Sequence, residues 1–215
     1  HGLVARAAPA WRLPLLVALS FVLYGWWDIR FVPLLAGSIL ANWCVARAYR
    51  RWPGRWLIPA AIAANLALLG VFKYLDFAAD LANLIPGLEA QRLGLALPLG
   101  ISFFTFHHIM YLADLRAGRA PGFGLVKYAL YIAFFPQVLA GPLVRWSEIM
   151  HQFDEAPYAR PDAAERFGCG LMLLAVGLAK KVVLGDPLAA YVNPVFQAAP
   201  AGKDVTAAAA RQATP

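Results

Sequence analysis

The residues of this chain that are best suited to chemistry lie inside its most apolar segments. His107 and His108 are neighbours in the run LPLGISFFTFHHIMYL, whereas Gln137 and Arg145 belong to the run FFPQVLAGPLVRW. An imidazole accepts or donates a proton near neutral pH, an amide donates and accepts hydrogen bonds, and an arginine pairs with carboxylate or phosphate. The expected chemistry is therefore proton transfer, or the binding of a polar group, in apolar surroundings.

The two histidines cannot both serve one site if the segment that carries them is helical. Neighbouring residues on an α-helix point about 100° apart, so at most one imidazole faces a given cavity. One interpretation is a hydrogen-bonded structural histidine together with one at the membrane interface; the alternative is that one of them faces a cavity and transfers protons there. No metal is expected, since no further ligands lie close to His107 and His108 at suitable spacing.

The segment around Gln137 interrupts an apolar run with groups that break a helix. Pro136 and Pro142 lack a backbone N–H, and Gly141 permits a sharp turn. Such a break is tolerated in a membrane only when it is packed in protein or lines a wet cavity. Gln137 can supply the missing donor and acceptor, so the pattern predicts a cavity or re-entrant wall. The alternative is a proline-kinked helix end with an interfacial Arg145.

The composition places most of the chain in lipid. Of its 215 residues, 61% are hydrophobic and 14% are charged, and the mean hydropathy is +0.59. A soluble domain of this length would need polar residues over most of its surface. The net charge of +7 comes from short basic clusters between apolar segments, so we expect no nucleic-acid partner. Cys44 and Cys169 lie in or beside apolar runs without metal or disulfide spacing, and we expect both to be buried.

Six apolar segments are candidate membrane spans, allowing for tilt and local thinning of the bilayer. They lie at residues 13–27, 31–46, 56–74, 93–112, 123–140 and 167–179. The predicted fold is an all-α, multi-pass transmembrane bundle over 1–197, with an Ala-rich tail at 198–215 that is expected to be disordered or weakly helical. Segment 123–140 contains the proline-broken motif, and the sequence leaves open whether it crosses the bilayer or re-enters.

The basic residues predict the orientation of the bundle. Every second loop is rich in arginine, and the clearest case is the loop between the second and third segments, with Arg47, Arg50, Arg51 and Arg55. Lys and Arg near the ends of spans favour the cytoplasmic side. The N-terminus is therefore predicted to be cytoplasmic.

Four ordered blocks of the sequence resemble one family. The blocks LPLGISFFTFHHIMYLADLRAG and YIAFFPQVLAGPLVRWSEIMHQF are flanked by SFVLYGWWDIRFVPLLAGSILANW before them and GLAKKVVLGDPLAAYVNPVF after them. Together they are similar to the membrane-bound O-acyltransferase superfamily, and most of all to its alginate O-acetyltransferase branch. The resemblance covers roughly residues 13–197.

The resemblance implies a multi-pass protein of the bacterial inner membrane. Such a protein moves an acyl group, usually acetyl, from a donor on the cytoplasmic side to an exported polysaccharide or an acetyl-relay partner protein. No cofactor is expected. The family's catalytic histidine lies downstream of the block that ends near Phe196, so the chain is expected to be an N-terminal part that is inactive alone. No catalytic residue is assigned here. Gln137, Arg145, His107 and His108 are assigned to the substrate or donor tunnel.

Two other classes of protein remain as alternatives. A transporter or channel subunit would also use broken helices and an intramembrane histidine, but the sequence has no visible repeat and no intramembrane carboxylate. A structural membrane anchor does not explain the proline-broken motif.

Asn65, on the third segment, is expected to join neighbouring helices through a hydrogen bond.

Overall fold

The computed structural model describes residues 11–84, 91, 93–154 and 162–198. Within these ranges the chain is helical and has no strand, which confirms the predicted all-α class. The chain divides into two compact units, residues 1–155 and 156–215, and each is described by itself.

The described part of the first unit begins with three helices. Helix α1 is Arg12–Trp27, α2 is Val32–Arg51 and α3 is Leu57–Ala82. A 3₁₀ turn, Ile29–Phe31, joins α1 to α2. The carboxylate of Asp28 caps this turn by accepting a bond from the backbone N–H of Arg30 at 3.0 Å. Hydrogen bonds from the Arg30 side chain and backbone lower the pKa of Asp28, so the turn keeps its carboxylate charged.

Four further helices follow in the described residues of the first unit. Helix α4 is Ile101–Arg116, α5 is Leu125–Ala133, α6 is Phe135–Ala140 and α7 is Trp146–Asp154. The predicted segment 93–112 is irregular before α4, since Leu93 to Pro98 have no helical structure. The break between α5 and α6 falls at Phe134, because Pro136 lacks the N–H that a continuous helix would need.

The buried core of the first unit lies around α4 and α5. Helix α4 packs against α3 and α5, and α1 packs against α5. Aromatic side chains fill this region: Tyr111 and Tyr128 lie with ring centroids 5.0 Å apart, and Phe104 is 1% exposed. The core therefore positions α4, which carries both histidines.

Helices α2 and α3 are joined by a reciprocal pair of amides. Asn42 Nδ2 donates to Asn65 Oδ1 at 3.1 Å, and Asn65 Nδ2 donates to Asn42 Oδ1 at 2.7 Å. This confirms the prediction for Asn65. Interhelical bonds of this kind contribute about 0.6 kcal/mol on average in a membrane, and at most about 1.7. The pair therefore fixes the register of two helices more than it stabilises the fold.

The first unit also uses its N-terminal helix to hold distant segments. The hydroxyl of Tyr24 donates to the carbonyl of Leu99 at 2.9 Å, and the N–H of Phe135 donates to the Ser20 hydroxyl at 3.3 Å. Helix α1 thus contacts both the approach to α4 and the first turn of α6.

The second unit is a long helical rod. Helix α8, Ala163–Lys180, continues through a π turn, Lys181–Gly185, into α9, Asp186–Ala198. Lys181 Nζ donates to both carboxylate oxygens of Asp186, at 3.0 and 3.1 Å, across the π turn. The predicted tail lies outside the described residues from 199 onward.

Three described helical stretches are long and apolar enough to cross a membrane. They are Ile29–Arg51, Leu57–Ala82 and Ala163–Ala190. Two shorter apolar stretches are Arg12–Trp27 and Leu125–Val138, and their crossing stays a prediction.

Cys44 and Cys169 are exposed, so the expectation that both are buried is wrong. Both lie on helices of these spans, whose outward faces need no protein neighbour in lipid.

Candidate functional site

His107 and Gln137 form a buried polar contact between α4 and α6. The Nε2 atoms of the two side chains lie 2.9 Å apart, and His107 is 1% exposed. The other ring nitrogen of His107, Nδ1, lies 2.7 Å from the carbonyl oxygen of Phe103, one turn earlier on α4. Two of the predicted site residues are thus brought together, from positions thirty residues apart.

The partners of His107 determine which nitrogen carries the proton. A backbone carbonyl only accepts, so Nδ1 of His107 must be the N–H donor toward Phe103. Nε2 then has a free lone pair, which accepts a hydrogen bond from the amide nitrogen of Gln137. This arrangement stabilises the neutral ring, because a proton on Nε2 would face another donor. Gln137 therefore holds His107 as a neutral acceptor.

The amide oxygen of Gln137 is an unused acceptor. Gln137 is 7% exposed, and its Oε1 has no hydrogen-bond donor among the described residues. A buried amide oxygen without a donor is costly, by about 1–3 kcal/mol. Such an atom is suited to accept a hydrogen bond from a hydroxyl or amide group that enters the fold.

A close backbone contact sets the position of α6. Gly100 precedes α4 with a φ of +69°, and a Cβ at this position would lie 2.7 Å from Val138 Cγ1 and 2.8 Å from the Val138 carbonyl oxygen. Only glycine adopts this conformation at low cost and leaves room for the neighbouring backbone. The start of α4 and the turn that carries Gln137 are therefore packed directly on each other.

His108 points away from Gln137 and is bonded entirely within the fold. Its Nδ1 lies 2.7 Å from the Tyr128 hydroxyl of α5, and its Nε2 lies 3.3 Å from the Ser38 hydroxyl of α2. Ser38 donates its own proton to the Leu35 carbonyl at 2.8 Å, so it accepts from Nε2–H, and Nδ1 accepts from Tyr128. His108 links α2, α4 and α5, and the structure does not bring it to Gln137.

Arg145 lies apart from the buried contact. It follows α6 after Gly141 and precedes α7, and its side chain is exposed. Its carbonyl accepts the N–H of Glu148 at 3.0 Å in the first turn of α7. Its guanidinium forms no ion pair with the carboxylates that the structure describes, and it is therefore accessible to an anion.

The sequence analysis missed a buried carboxylate near the end of α4. Asp114 is 6% exposed; its Oδ1 accepts from Arg119 Nη2 at 2.7 Å and its Oδ2 from Trp146 Nε1 at 3.2 Å. The only signal was an Asp at the end of an apolar run, five residues before an Arg. Asp114 ties the end of α4 to the start of α7, and so positions the segment that carries Arg145.

No metal centre accompanies this site in the described part of the chain, where no group of three or more His, Cys, Asp or Glu side chains could hold an ion. The arrangement can bind polar groups and orient them through hydrogen bonds. Its neutral, fully bonded histidines provide no pair of acid and base for a complete reaction.

Comparisons with known proteins identify relatives along nearly the whole chain. It is 34% identical over 206 residues to the protein named probable alginate O-acetylase AlgI of Pseudomonas putida, covering 91% of this chain and 41% of that protein. The Pseudomonas aeruginosa protein of the same name is also 34% identical over 206 residues, covering 91% of this chain and 39% of its own length. The peptidoglycan O-acetyltransferase of Helicobacter pylori is 37% identical over 217 residues, which cover 86% of this chain and 40% of that protein.

Two further comparisons found nothing: no protein-family profile and no solved structure matches the chain. The chain spans about two fifths of the length of the curated relatives that it matches. These relatives confirm the resemblance that the four sequence blocks predict. Over the part that it contains, the chain is a relative of the alginate O-acetylase branch of the membrane-bound O-acyltransferase superfamily.

Proposed function

We propose that the protein is a membrane-bound O-acyltransferase that transfers an acetyl group to an exported polysaccharide. The observation that carries this proposal is the identity of 34% to 37%, along most of the chain, to proteins named for O-acetyl transfer to alginate and to peptidoglycan. The apolar helices of the fold agree with a membrane enzyme. The relatives named above include no transporter, which favours acyl transfer over the transporter alternative.

The proposal includes the location and the direction of transfer. We place the protein in the bacterial inner membrane with its N-terminus in the cytoplasm, because the arginine-rich loop after α2 follows the positive-inside pattern. The acyl donor then approaches from the cytoplasmic side. The acceptor is the polysaccharide itself or an acetyl-relay partner protein. The catalytic histidine is assigned to a region outside these 215 residues.

Within this enzyme, the segment 134–145 forms part of the tunnel wall. Gln137 contributes Oε1 as an acceptor for a hydroxyl or amide group of the substrate or donor, because this buried atom has no donor among the described residues. His107 orients the Gln137 amide by accepting a hydrogen bond from its Nε2, with the two nitrogens 2.9 Å apart. His108 does not reach this segment; its bonds to Ser38 and Tyr128 fix α4 against α2 and α5. Arg145 is exposed and attracts an anionic group of the donor at the tunnel mouth.

The function can be tested by exchanging segments with a relative. The 215 residues replace the matching segment of the P. aeruginosa relative in a strain that lacks the native gene, and acetyl groups on the exported polymer are measured by NMR. We expect the chimera to restore acetylation and the 215-residue chain alone to give none. A stable, membrane-inserted chimera without acetylation, or acetyl transfer by the chain alone, contradicts the proposal.

The role of Gln137 is tested in the same chimera. Gln137→Leu removes the unused acceptor, and we expect acetylation to fall about tenfold or more, since a lost hydrogen bond of about 1.5 kcal/mol corresponds to roughly that factor. Gln152→Leu is the matched control, because Gln152 is exposed and its bond among the described residues is to the carbonyl of Glu148 on its own helix, at 3.0 Å. Equal acetylation in the two variants would contradict the role of Gln137 in the proposed site.

A further inference from the structure

An arginine groove lies at the C-terminal end of α2, away from the His107 and Gln137 contact. It has a volume of about 550 Å³ and is lined by Cys44, Arg47, Ala48, Arg50, Arg51 and Trp52. Positions 44, 47, 48 and 51 are spaced i, i+3, i+4 and i+7, so they share one face of the helix. The groove thus has a floor of two small side chains, with guanidinium groups along and beyond it.

No carboxylate that the structure describes neutralises the charges of this groove. The sequence has no Asp or Glu between Asp28 and Asp76, and the groove arginines pair with no carboxylate among the residues that the structure describes. Arg47 lies over the ring of Trp43, 5.6 Å from its centroid. Aromatic rings hold a cation but leave its N–H groups able to bind an anion. The C-terminus of α2 carries only about half a negative charge, which three guanidinium charges outweigh.

The groove lies where two membrane helices end. Both α2 and α3 are long and apolar enough to cross a bilayer, and the groove occupies the last turns of α2 before α3 begins at Leu57. Trp52 and Trp56 in the connecting loop are 72% and 67% exposed. Exposed tryptophans beside arginines at the end of a span are typical of the headgroup layer. The anions most concentrated at this depth are phospholipid phosphates.

We propose that the arginine groove binds the headgroup of an anionic phospholipid. The phosphodiester lies between Arg47 and Arg51, and the apolar floor of Cys44 and Ala48 contacts the first carbons of the lipid chain. Arg50 has a different neighbour: a Cβ at Gly122 would overlap its guanidinium, so Arg50 packs against the loop between α4 and α5. A bound lipid would therefore stiffen the contact between α2 and this loop, independently of acyl transfer.

The size of the effect follows from surface electrostatics. A basic residue near an anionic membrane surface contributes about a fivefold gain in binding; with the same gain for each guanidinium that faces the lipid phosphate, removal of two charges lowers the affinity by roughly 30-fold. Binding must also weaken as salt is raised, because the exposed guanidinium groups are screened beyond about 10 Å at 0.1 M ionic strength.

The binding is measured on the purified 215-residue chain in neutral detergent. Phosphatidylglycerol and phosphatidylcholine are titrated separately, and native mass spectrometry counts the lipids that each protein molecule retains. We expect phosphatidylglycerol to be preferred, and the double variant Arg47→Gln, Arg51→Gln to lose this preference by roughly 30-fold. Arg50 is left in place, since its packing against Gly122 supports the fold.

Three controls keep the outcome decisive. The double variant Arg116→Gln, Arg166→Gln removes the same charge from exposed positions outside the groove and is expected to bind like the unmodified chain. Salt titration of the unmodified chain requires no variant and is expected to lower the preference. Millimolar inorganic phosphate as competitor separates a lipid from a free phosphate. Equal loss in both double variants, insensitivity to salt, or full displacement by inorganic phosphate would each overturn the proposal.

Discussion

At the scale of residues, Gln137 and His107 form the polar contact on which the proposed site depends. The carbonyl of Phe103 holds the proton on Nδ1 of His107, and the Gln137 amide occupies Nε2. Both nitrogens of the ring are thus committed to neighbours. His107 is a positioning residue in this scheme, and the group that remains available to a ligand is Oε1 of Gln137.

This arrangement predicts an unusual order of stabilities. Gln137→Leu removes a donor from His107 but also removes a buried acceptor without a partner, and each effect is about 1–3 kcal/mol with opposite sign. We expect the free energy of unfolding to change by less than about 1 kcal/mol. His107→Leu instead leaves Nε2 of Gln137 without its acceptor while Oε1 stays unpaired, and should cost about 1–3 kcal/mol. Chemical denaturation in mixed micelles measures both; a larger loss in Gln137→Leu contradicts the assignment.

At the scale of elements, the contact between Gly100 and Val138 holds α4 against the turn before Gly141. Both this contact and the bond from Tyr24 to the Leu99 carbonyl act on the irregular segment before α4. That segment has little structure of its own from Leu93 to Pro98. Its position therefore depends on the neighbours that hold Leu99 and Gly100.

Two glycines separate the effect of this contact from that of backbone conformation. Gly100 and Gly118 have φ values of +69° and +71°, but a Cβ at Gly118 would have no neighbour within 4 Å. Gly118→Ala should therefore lower the free energy of unfolding by only about 1–2 kcal/mol, because alanine must adopt the left-handed conformation. Gly100→Ala should cost about 1–3 kcal/mol more, through overlap with the Val138 backbone. Thermal unfolding in detergent compares the two variants; equal midpoints would mean that the contact is not tight.

The elements were more predictable from sequence than the contacts between them. Long apolar runs predict helices, and Pro136 with Gly141 predicts the break that the structure places at Phe134 and after Ala140. The bonds of His108 to Tyr128 and Ser38 join residues 20 and 70 positions apart. Such partners depend on how helices rotate and pack, which hydropathy does not encode. The buried Asp114 escaped notice for the same reason, since its partner Trp146 lies 32 positions away.

At the scale of the whole molecule, the arginine-rich loop between α2 and α3 predicts the orientation in the membrane. Gly54 lies in this loop, whereas Ile29, which is 73% exposed, lies in the turn between α1 and α2. In a chain with Cys44→Ser and Cys169→Ser, we expect Ile29→Cys to react with a membrane-impermeant maleimide added outside spheroplasts. Gly54→Cys should react only after lysis, because arginine-rich loops stay in the cytoplasm. The reverse labelling pattern would place the arginine-rich loop, and with it the side from which the acyl donor approaches, outside the cytoplasm.

The way that α1 is held also affects how the protein can be made. The hydroxyl of Ser20 accepts the N–H of Phe135, 115 residues later, and Tyr24 donates to Leu99, 75 residues later. At about 5–20 residues per second, a ribosome needs roughly 6–23 s to add 115 residues. During that interval Ser20 has to find a temporary partner in its own helix, in water or in the insertion machinery. Helix α1 thus completes these bonds only long after its own synthesis, and a chain that pauses before residue 135 would expose it to quality control.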